Sequence, residues 1–291
     1  MSLKELLKDR LDEEELKLLR RSFEIIGDIV IIEIPDEILH HARDIVDAIL
    51  SRHKHVRTVL RKIGEVNGVY RIARYEPVYG EKTETVVREH GCRFLVDPTK
   101  AYYSVKLSGE RERIARLVGE GERILVMFAG VGPYPIVIAK LARPEKVIGI
   151  ELNPHAAEYF RKNVRLNKVE DVVEVFEGDV EEVVPKLPGE FDRVVMPAPY
   201  SAESFIHLLK GKVRRGGFVH YYTFDSQNEE ERLHEKVMKR FEDEGLNVEV
   251  LKVRKCGNFA PYVNRYVVDL RVHNCTFNSH SKDCKVPQPH R

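Results

Sequence analysis

Residues 124–133 read ILVMFAGVGP, and residues 147–154 read VIGIELNP. Each segment is a short apolar run that ends in a turn, which is typical of a buried strand in a parallel sheet. A helical pattern, PYPIVIAKLA, lies between them. This order of strand, helix and strand predicts the first two strands of an α/β domain, in which ligands bind beyond the carboxyl ends of the strands.

The turn after the first strand points to a nucleoside cofactor. Gly130 and Gly132 lack a Cβ, so the backbone there can adopt positive φ and approach a ligand closely. N–H groups at the start of a helix favour a carboxylate, so residues 128–132 are predicted to cover an amino-acid group. Glu151 ends the second strand, where a carboxylate accepts ribose hydroxyls. The alternatives are a plain tight turn and a surface Glu151 that caps the next helix.

S-adenosylmethionine is the cofactor that fits this pattern best. The turn has no third glycine and no Gly-Lys-Ser/Thr follows it, which disfavours dinucleotide and triphosphate sites. Asp179 follows the predicted third strand, and we expect it to hold the adenine amino group while the N–H of Val180 meets a ring nitrogen. Asp179 could equally serve as the N-cap of the helix that begins at Val180.

The fourth predicted strand ends in FDRVVMPAPY, residues 191–200. Pro197 and Pro199 carry no N–H, and we expect the carbonyls of Pro197 and Ala198 to be free to accept a hydrogen bond from a substrate amine or ring N–H. Tyr200 either stacks on a base or packs against the fold.

Composition describes an ordinary globular protein. The chain has 291 residues, 43% hydrophobic and 33% charged, which predicts two domains or one large one. Its formal net charge of +1 gives no global argument for nucleic acid, so any such argument rests on local patches. No apolar stretch has the length of a membrane span and the N-terminus is charged, so we expect a cytoplasmic protein. The ion-rich composition without Trp resembles that of thermophile proteins.

The four cysteines are scattered without a CxxC pair, which predicts free thiols and no metal site. Cys275 and Cys284 lie near several histidines in a polar tail, where a metal site is conceivable. Disorder, or residues foreign to the folded domain, is the favoured interpretation of this tail, residues 273–291.

The chain divides into a predicted α+β N-terminal domain, residues 1–100, and an α/β domain, residues 101–272. The first contains an amphipathic helix over 3–22, a strand over 29–34, a helix over 36–51 capped by Asp36, and a small antiparallel sheet over 58–96. From residue 109 onward helices and strands alternate, and the last two strands form a hairpin. The predicted helices are 110–118, 134–142, 154–166, 180–186, 202–210 and 229–244. The predicted strands are 124–128, 147–151, 172–176, 191–196, 217–222, 247–253 and 265–272.

Several segments together resemble the archaeal and eukaryotic tRNA (guanine-37 N1)-methyltransferase family, sister to the wybutosine aminocarboxypropyltransferases. The likeness covers residues 60–272 and is carried by YRIAR, VDPTKAYYSVKLSGER, MFAGVGPYPIVIAK, ELNPHAAEYFRKNVRLNKVED, FDRVVMPAPY and GGFVHYYTF. It implies an archaeal protein with a class I methyltransferase fold, a Rossmann-like doubly wound sheet. It further implies S-adenosylmethionine as cofactor and the tRNA anticodon stem-loop as partner, bound by a monomer.

The resemblance also implies roles for individual residues. Arg71 corresponds to an arginine facing the guanine, and Glu110 to a proton-handling carboxylate. N1 of guanine must lose a proton as the methyl group arrives, which suits a carboxylate, and a guanidinium stabilises charge on O6. The alternatives are a surface Arg71 and a Glu110 that merely pairs with basic neighbours at a helix start. The implied cofactor contacts are Tyr103, Phe128, Ala129, Gly130, Gly132, Glu151, Leu152, Asp179, Val180 and Pro197, and the implied substrate contacts are Pro197, Pro199 and Tyr200.

Three departures from the family pattern leave other functions open. Residues 196–199 read Met-Pro-Ala-Pro where the family usually has Asn-Leu-Pro, and Lys106 replaces an arginine before the SGER motif. The segment before Arg71 leaves little room for a domain that reads the outer corner of tRNA. The alternatives are a wybutosine-pathway enzyme, by aminocarboxypropyl transfer or methylation of a tricyclic precursor, and a non-catalytic tRNA-binding protein. Basic clusters at 51–62, 210–215 and 252–255 either contact phosphate or form solvated faces.

Overall fold

The computed structural model of the chain describes residues 2–20, 22–67, 72–198, 202–226, 230–260 and 262–275. Arg71, Pro199, Tyr200 and Cys284 lie outside these residues. The α-helices are α1 Leu3–Leu7, α2 Glu13–Leu18, α3 Ala42–Arg52, α4 Ser108–Leu117, α5 Pro133–Leu141, α6 Pro154–Asn167, α7 Val180–Val183 and α8 Glu230–Asp243. The strands are β1 Glu24–Ile26, β2 Ile29–Ile32, β3 Thr58–Asn67, β4 Ile72–Tyr79, β5 Thr85–Glu89, β6 Cys92–Val96, β7 Arg123–Val126, β8 Lys146–Glu151, β9 Val173–Glu177, β10 Phe191–Met196, β11 Val213–Ser226, β12 Leu246–Ala260 and β13 Val263–Cys275.

The described residues form two compact units. The first comprises those up to Gly121 together with Phe128–Asp179, and the second comprises Glu122–Met127 and the chain from Val180 onward. In the first unit, strands β1 to β4 form a four-stranded sheet in that order. Leucines of α1 and isoleucines of α3 pack on β2 and β3 in one apolar core, in which Leu7, Ile45 and Val59 are fully buried.

The predicted antiparallel sheet over residues 58–96 is only partly correct. Strands β3 and β4 are antiparallel, but β3 also pairs with β2 in parallel, and β5 and β6 form a separate two-stranded sheet. The parallel pair arises because a 3-10 helix over Asp36–His41 and then α3 connect β2 to β3 as a crossover.

The single helix predicted over 3–22 was wrong. Two short helices replace it, because Ser2 and Asp12 each close a capping box with the glutamate three residues on. The predicted cap at Asp36 was also wrong. The 3-10 helix there has no side-chain cap, and the carboxylate of Asp36 pairs instead with Arg61.

Two asparagines of α6 hold the hairpin formed by β5 and β6. The side-chain amide of Asn163 accepts the N–H of Leu95 at 2.7 Å and donates to its carbonyl at 3.1 Å. Asn167 does the same with Arg93, at 2.8 and 2.7 Å. Both asparagines are buried. These hydrogen bonds therefore take the place of water for the two side-chain amides and for the backbone groups of β6 that they meet.

The α/β part matches the predicted alternation of strands and helices. In the first unit β8 and β9 are parallel. Helix α5 precedes β8, and helix α6 connects β8 to β9. In the second unit the strand order is β12, β13, β11, β10, β7. Strand β10 is parallel to β7 and β11, whereas β13 is antiparallel to β11 and β12, which confirms the predicted terminal hairpin.

Three details in the second unit differ from the prediction. The helix expected over 202–210 is a 3-10 helix over Ala202–Leu209. The helix expected over 180–186 is α7 followed by a 3-10 turn over Val184–Lys186. Strand β13 continues to Cys275, so the boundary predicted for the tail was three residues too early.

A chain of four polar groups, three of them buried, crosses the second unit. Glu122 accepts two hydrogen bonds from Arg193 at 2.7 and 2.9 Å, Arg193 contacts Nε2 of His220 at 2.8 Å, and Nδ1 of His220 contacts Asp269 at 2.6 Å. The last three residues lie on β10, β11 and β13. A network of this kind fixes strands relative to one another, including β10, which leads to Pro197.

The fold class is confirmed as α/β with parallel strands and a separate α+β N-terminal region. Cys92 and Cys256 are free thiols, as predicted. Among the helices described, none has the length and apolar character needed to cross a membrane.

Candidate active site

The turn after β7 has an unusual backbone. Phe128, Gly130 and Gly132 have φ of +56°, +59° and +88°. Positive φ is uncommon for a bulky residue such as Phe128, and such strain is concentrated at functional turns. A Cβ built at Gly130 would meet, among the described residues, only the carbonyl of Tyr102, at 3.8 Å. The space beside Gly130 is therefore open to a ligand.

Gly132 has a different reason to be glycine. A Cβ at this position would lie 2.0 Å from Cδ2 of Phe160, whose ring is fully buried. The same ring fills the space above Gly149, where a Cβ would come within 2.4 Å. The structure therefore gives Gly132 a packing role, and its predicted contact with the cofactor stays a prediction.

Glu151 is fixed at the end of β8 by backbone N–H groups. Its Oε2 accepts the N–H of Gly130 at 2.7 Å, and its Oε1 accepts the N–H of Asn153 at 2.8 Å. A carboxylate offers about four acceptor sites, so both oxygens can still accept a ribose hydroxyl. The arrangement links the open turn and the acidic residue directly, which fits the nucleoside end of the predicted cofactor.

Two opposing effects act on the pKa of the Glu151 carboxyl group. Burial raises the pKa of its carboxyl, and the backbone N–H groups of Asn153, Gly130 and Leu152 partly oppose that rise. Leu152 beside it is 36% exposed, which is high for an aliphatic side chain and leaves an apolar surface next to the carboxylate. A ligand with a polar ribose and an apolar ring face would be complementary to this pair.

We expect Glu151→Gln to lower the affinity for S-adenosylmethionine by about 10- to 100-fold, which corresponds to one unsatisfied buried hydrogen-bonding group. The amide keeps one acceptor oxygen but turns an NH2 group towards one of the two backbone N–H donors. Isothermal titration calorimetry of the wild type and the variant measures the effect. An unchanged dissociation constant would remove Glu151 from the cofactor site.

The affinity of the wild type should also depend on pH. Because the pKa of Glu151 is raised above its ordinary value of 4.5, the carboxylate takes up a proton as the pH falls through a range above 4.5. The protonated form accepts fewer hydrogen bonds, so affinity should fall by at most about tenfold per pH unit in that range. Titrations from neutral pH downward test this. A wild-type affinity that falls no more than that of Glu151→Gln would contradict it.

The other predicted cofactor contacts are partly assembled. The N–H of Gly178, next to Asp179, donates to the carbonyl of Glu151 at 2.9 Å, so the ends of β8 and β9 lie together. Val180 and Pro197 belong to the second unit. Tyr103 is 4% exposed and its hydroxyl lies 3.4 Å from Nη2 of Arg111. The cofactor roles of these residues stay predictions.

Sequence analysis missed the residues that shape the neighbouring segment, 97–103. Asp97 accepts hydrogen bonds from the N–H and hydroxyl of Thr99 at 3.0 and 2.6 Å, and from Thr83 at 2.9 Å. Burial would raise the pKa of Asp97, but these bonds and Lys100 outweigh it and hold the pKa below its usual range. Asn153 donates to the carbonyl of Lys100 at 2.8 Å, which ties this segment to Glu151. The Asp-Pro-Thr sequence after a strand was the available signal.

Glu110 lies in the first turn of α4 and is 5% exposed. Arg113 donates to both of its oxygens at 2.8 Å. The structure thus contains the charge pair that was the alternative interpretation of Glu110, at a spacing of three residues. A buried, oriented carboxylate with remaining acceptor sites can still take a proton from a substrate, so the pair and the catalytic role are compatible.

The next arginine of the SGER motif, Arg111, is a structural clamp. It is 2% exposed and donates to both oxygens of Glu89 on β5, at 2.7 and 2.5 Å. Its guanidinium also lies 5.2 Å from the centre of the Tyr103 ring. This clamp fixes α4, and with it Glu110, against the hairpin.

The end of β10 corrects one expectation. The carbonyl of Ala198 is not free, because it accepts the N–H of Ala202 at 2.9 Å at the start of the 3-10 helix. A second lone pair of this oxygen remains available. Pro197 is partly exposed, as a substrate contact must be.

One group of side chains in the described residues has metal-ligand spacing. Glu15, His40 and His41 bring their ligand atoms within 4.8 Å of one another. Oε1 of Glu15 lies 3.2 Å from His40 and 3.1 Å from His41, which are ordinary hydrogen-bond distances. A carboxylate that accepts from two histidines explains the group without a metal.

Family models match most of the chain. The TRM5/TYW2 methyltransferase domain matches residues 85–251, and the TYW2 N-terminal domain matches residues 3–83. Trm5b of Pyrococcus abyssi, a tRNA (guanine(37)-N(1))-methyltransferase, is 38% identical over 89% of this chain and 77% of its own. Taw21 of Saccharolobus solfataricus, a tRNA 4-demethylwyosine(37)-methyltransferase, is 38% identical over 76% of this chain and 83% of its own. A tRNA(Phe) (4-demethylwyosine(37)-C(7)) aminocarboxypropyltransferase of Pyrococcus horikoshii is 32% identical over 93% of this chain and 96% of its own.

Solved structures agree with these matches. The complex of aTrm5 with tRNALeu has a TM-score of 0.79 and 31% identity, covering 94% of this chain and 78% of that one. Methanocaldococcus jannaschii TYW2 in complex with AdoMet has a TM-score of 0.66 and 27% identity, and the match covers 87% of this chain and 99% of that one.

Proposed function

Because the chain belongs to the TRM5/TYW2 methyltransferase family, we propose that it transfers the methyl group of S-adenosylmethionine to N1 of guanosine-37 in tRNA. The observation that carries this proposal is the direct link between the open turn at Gly130 and the carboxylate of Glu151. That link supports a nucleoside site at this turn, which is what a cofactor of this family would need.

The residues of the first unit fit the cofactor. Glu151 would bind the ribose hydroxyls, the backbone near Gly130 would approach the amino-acid end, and Leu152 would cover an apolar face. When bound, S-adenosylmethionine supplies a methyl group activated by a sulfonium. The protein then has to hold the guanine in line with that methyl group, and positioning supplies most of the acceleration.

Glu110 would receive the proton that leaves N1 of the guanine. Its carboxylate is preoriented by Arg113 and shielded from solvent, which strengthens its interaction with a substrate N–H. Arg71, which lies outside the described residues, would face O6. The base would have to leave its stack to reach these groups, as is usual for enzymes that act on base edges.

Exposed basic residues support contact with the tRNA backbone. Arg52, Lys54 and Arg57 are exposed in the first cluster, and Lys252, Arg254 and Lys255 are exposed in the third. Arg61 is buried instead, where it donates to the carbonyl of Ile34 at 2.7 Å, so it does not contribute to that surface. Phosphate contacts from such residues position a protein on RNA without reading its sequence.

We also propose that the protein acts as a cytoplasmic monomer, that residues 1–100 position the anticodon stem-loop, and that residues 101–272 carry the transfer reaction. Sedimentation of the protein alone and with one equivalent of stem-loop RNA tests the stoichiometry. A two-to-one complex would overturn the monomer.

The test of the reaction is mass spectrometry of nucleosides from a tRNA transcript with guanosine at position 37, incubated with the protein and S-adenosylmethionine. We expect one added methyl group on that guanosine and none in a matched transcript with adenosine-37. Absence of product on guanosine with a cofactor-binding enzyme would overturn the proposed substrate.

A second candidate function has its own support. Taw21, a tRNA 4-demethylwyosine(37)-methyltransferase, has the same 38% identity to this chain as Trm5b, over 223 residues rather than 262, and the N-terminal segment matches a TYW2 model. Pro197 also lacks the side-chain amide of the usual Asn-Leu-Pro. The same assay on tRNA carrying the tricyclic precursor separates the outcomes, because a methyl group and an aminocarboxypropyl group differ in mass.

A further inference from the structure

The main chain of residues 97–103 lies beside the cofactor turn. The carbonyl oxygen of Tyr102 is 3.8 Å from the position that a Cβ of Gly130 would take. These residues belong to no helix or strand, so no regular ladder of backbone hydrogen bonds holds them in place. Their position beside Gly130 therefore depends on individual hydrogen bonds.

A compact turn begins this segment. The backbone carbonyl of Asp97 accepts the N–H groups of Lys100 and Ala101, both at 3.0 Å, and its carboxylate lies 3.2 Å from Nζ of Lys100. Asp97 is 1% exposed and Ala101 is fully buried. These bonds fix the shape of the turn, and a separate contact attaches the turn to the cofactor site.

Asn153 provides that contact. Its Nδ2 donates to the carbonyl of Lys100 at 2.8 Å, and its Oδ1 accepts the N–H of His155 at 3.0 Å. Its backbone N–H donates to Oε1 of Glu151 at 2.8 Å. Asn153 is 3% exposed, so water competes little for these bonds. One residue thus joins the segment, the start of α6 and the carboxylate expected to bind the ribose.

The residue type at position 153 distinguishes this role from that of a helix cap. An N-cap needs only an acceptor oxygen, and serine or aspartate serves about as well as asparagine. In this chain Ser2 caps α1 and Asp12 caps α2. The bond to the carbonyl of Lys100, in contrast, requires the NH2 group of an asparagine.

We propose that Asn153 is a positioning residue of the cofactor site, whose amide holds the main chain of residues 100–103 beside Gly130 before S-adenosylmethionine binds. The inference rests on the proposed function only for the identity of this cofactor. Without the bond, part of the segment would have to become ordered as the ligand binds, and that ordering weakens binding. The ribose contact would remain, because backbone N–H groups fix Glu151.

The first test is the affinity of the protein for S-adenosylmethionine without RNA, measured by isothermal titration calorimetry. Asn153→Ser keeps an oxygen for the cap of α6 and removes the NH2 group. We expect it to weaken binding by about 5- to 30-fold, which corresponds to the ordering of one residue. Asn153→Asp has the shape of the wild type, and its loss should be at least as large because a carboxylate oxygen would face the carbonyl of Lys100.

Amide hydrogen exchange separates positioning from a structural role. In both variants without ligand, the amides of residues 98–103 should exchange faster than in the wild type, and saturating S-adenosylmethionine should restore their protection. Exchange within α6 should stay as it is, because serine and aspartate still cap the helix. The melting temperature should fall by no more than about 4 °C, the value of one hydrogen bond in a domain of this size.

Asn167→Asp is the matched control, because it removes another amide donor of α6. Nδ2 of Asn167 donates to the carbonyl of Arg93 at 2.7 Å. This residue lies about 21 Å further along the helix than Asn153. The control should lower the melting temperature and leave the affinity for S-adenosylmethionine unchanged.

Two outcomes would overturn the inference. One is wild-type affinity for the cofactor in both Asn153→Ser and Asn153→Asp. The other is faster exchange throughout α6 with unchanged exchange in residues 98–103, which would make Asn153 a helix cap only. If the variants behave as expected but the wild type does not methylate guanosine-37, the positioning role stands and the proposed reaction fails.

Discussion

Glu110→Gln should reduce the turnover of guanosine-37 methylation by about 10²- to 10⁴-fold, the usual contribution of a positioned acid or base. The amide has nearly the same shape as the carboxylate and can still accept a hydrogen bond from Arg113, so the fold should persist. It cannot take up the proton of N1. Single-turnover kinetics with saturating enzyme, together with the dissociation constant for S-adenosylmethionine, measure the effect. The dissociation constant should not change.

Arg113→Gln is the matched control for the ion pair. It keeps the carboxylate of Glu110 and removes the group that donates to both of its oxygens. If Glu110 handles the proton, this variant should lose clearly less activity than Glu110→Gln. Equal losses in the two variants, with equal losses of stability, would mean that the pair holds α4 in place and that Glu110 is not the proton acceptor.

Gly132→Ala should lower the free energy of unfolding by about 2 to 6 kcal/mol, which combines about 1–3 kcal/mol of overpacking with about 1–3 kcal/mol of backbone strain. The added methyl group would lie 2.0 Å from the ring of Phe160, and φ at this position is +88°. Phe160 is fully buried, so the ring cannot move aside into solvent. Denaturant unfolding followed by circular dichroism measures the loss.

Gly130→Ala provides the comparison, because the two glycines belong to the same turn. Its new methyl group would enter open space, so the loss of stability should be about 1–2 kcal/mol from the left-handed backbone alone, while cofactor affinity should fall. Adding Phe160→Leu to Gly132→Ala should recover part of the lost stability, as expected for directly contacting residues. Strict additivity of the two substitutions would show that the ring is not the obstacle.

The central elements were predictable because their signals are local. Strand β8 is an apolar run that ends in Glu151, and helix α5 follows a turn rich in glycine. The types of both elements were predicted correctly, and their bounds differ from the prediction by at most one or two residues. The two candidate cofactor groups, Gly130 and Glu151, follow from the same pattern. Such signals survive in a single sequence because a parallel strand is buried on both faces.

The N-terminal region was less predictable because its structure depends on distant partners. Strand β1 has only three residues, and the parallel pairing of β2 with β3 is set by packing of α3. Asp36 has the residue type of a helix cap but pairs with Arg61, which is 25 residues away.

Asn163 and Asn167 give α6 the hydrogen-bonding pattern of a β-strand. Four residues along a helix advance about 6 Å, and two residues along a strand advance about 6.6 Å, so amides at i and i+4 meet alternate peptides of β6 in register. The edge of β6 that would otherwise be open is thereby occupied at Arg93 and Leu95. An unprotected strand edge recruits other chains, and here two side chains close it without a third strand.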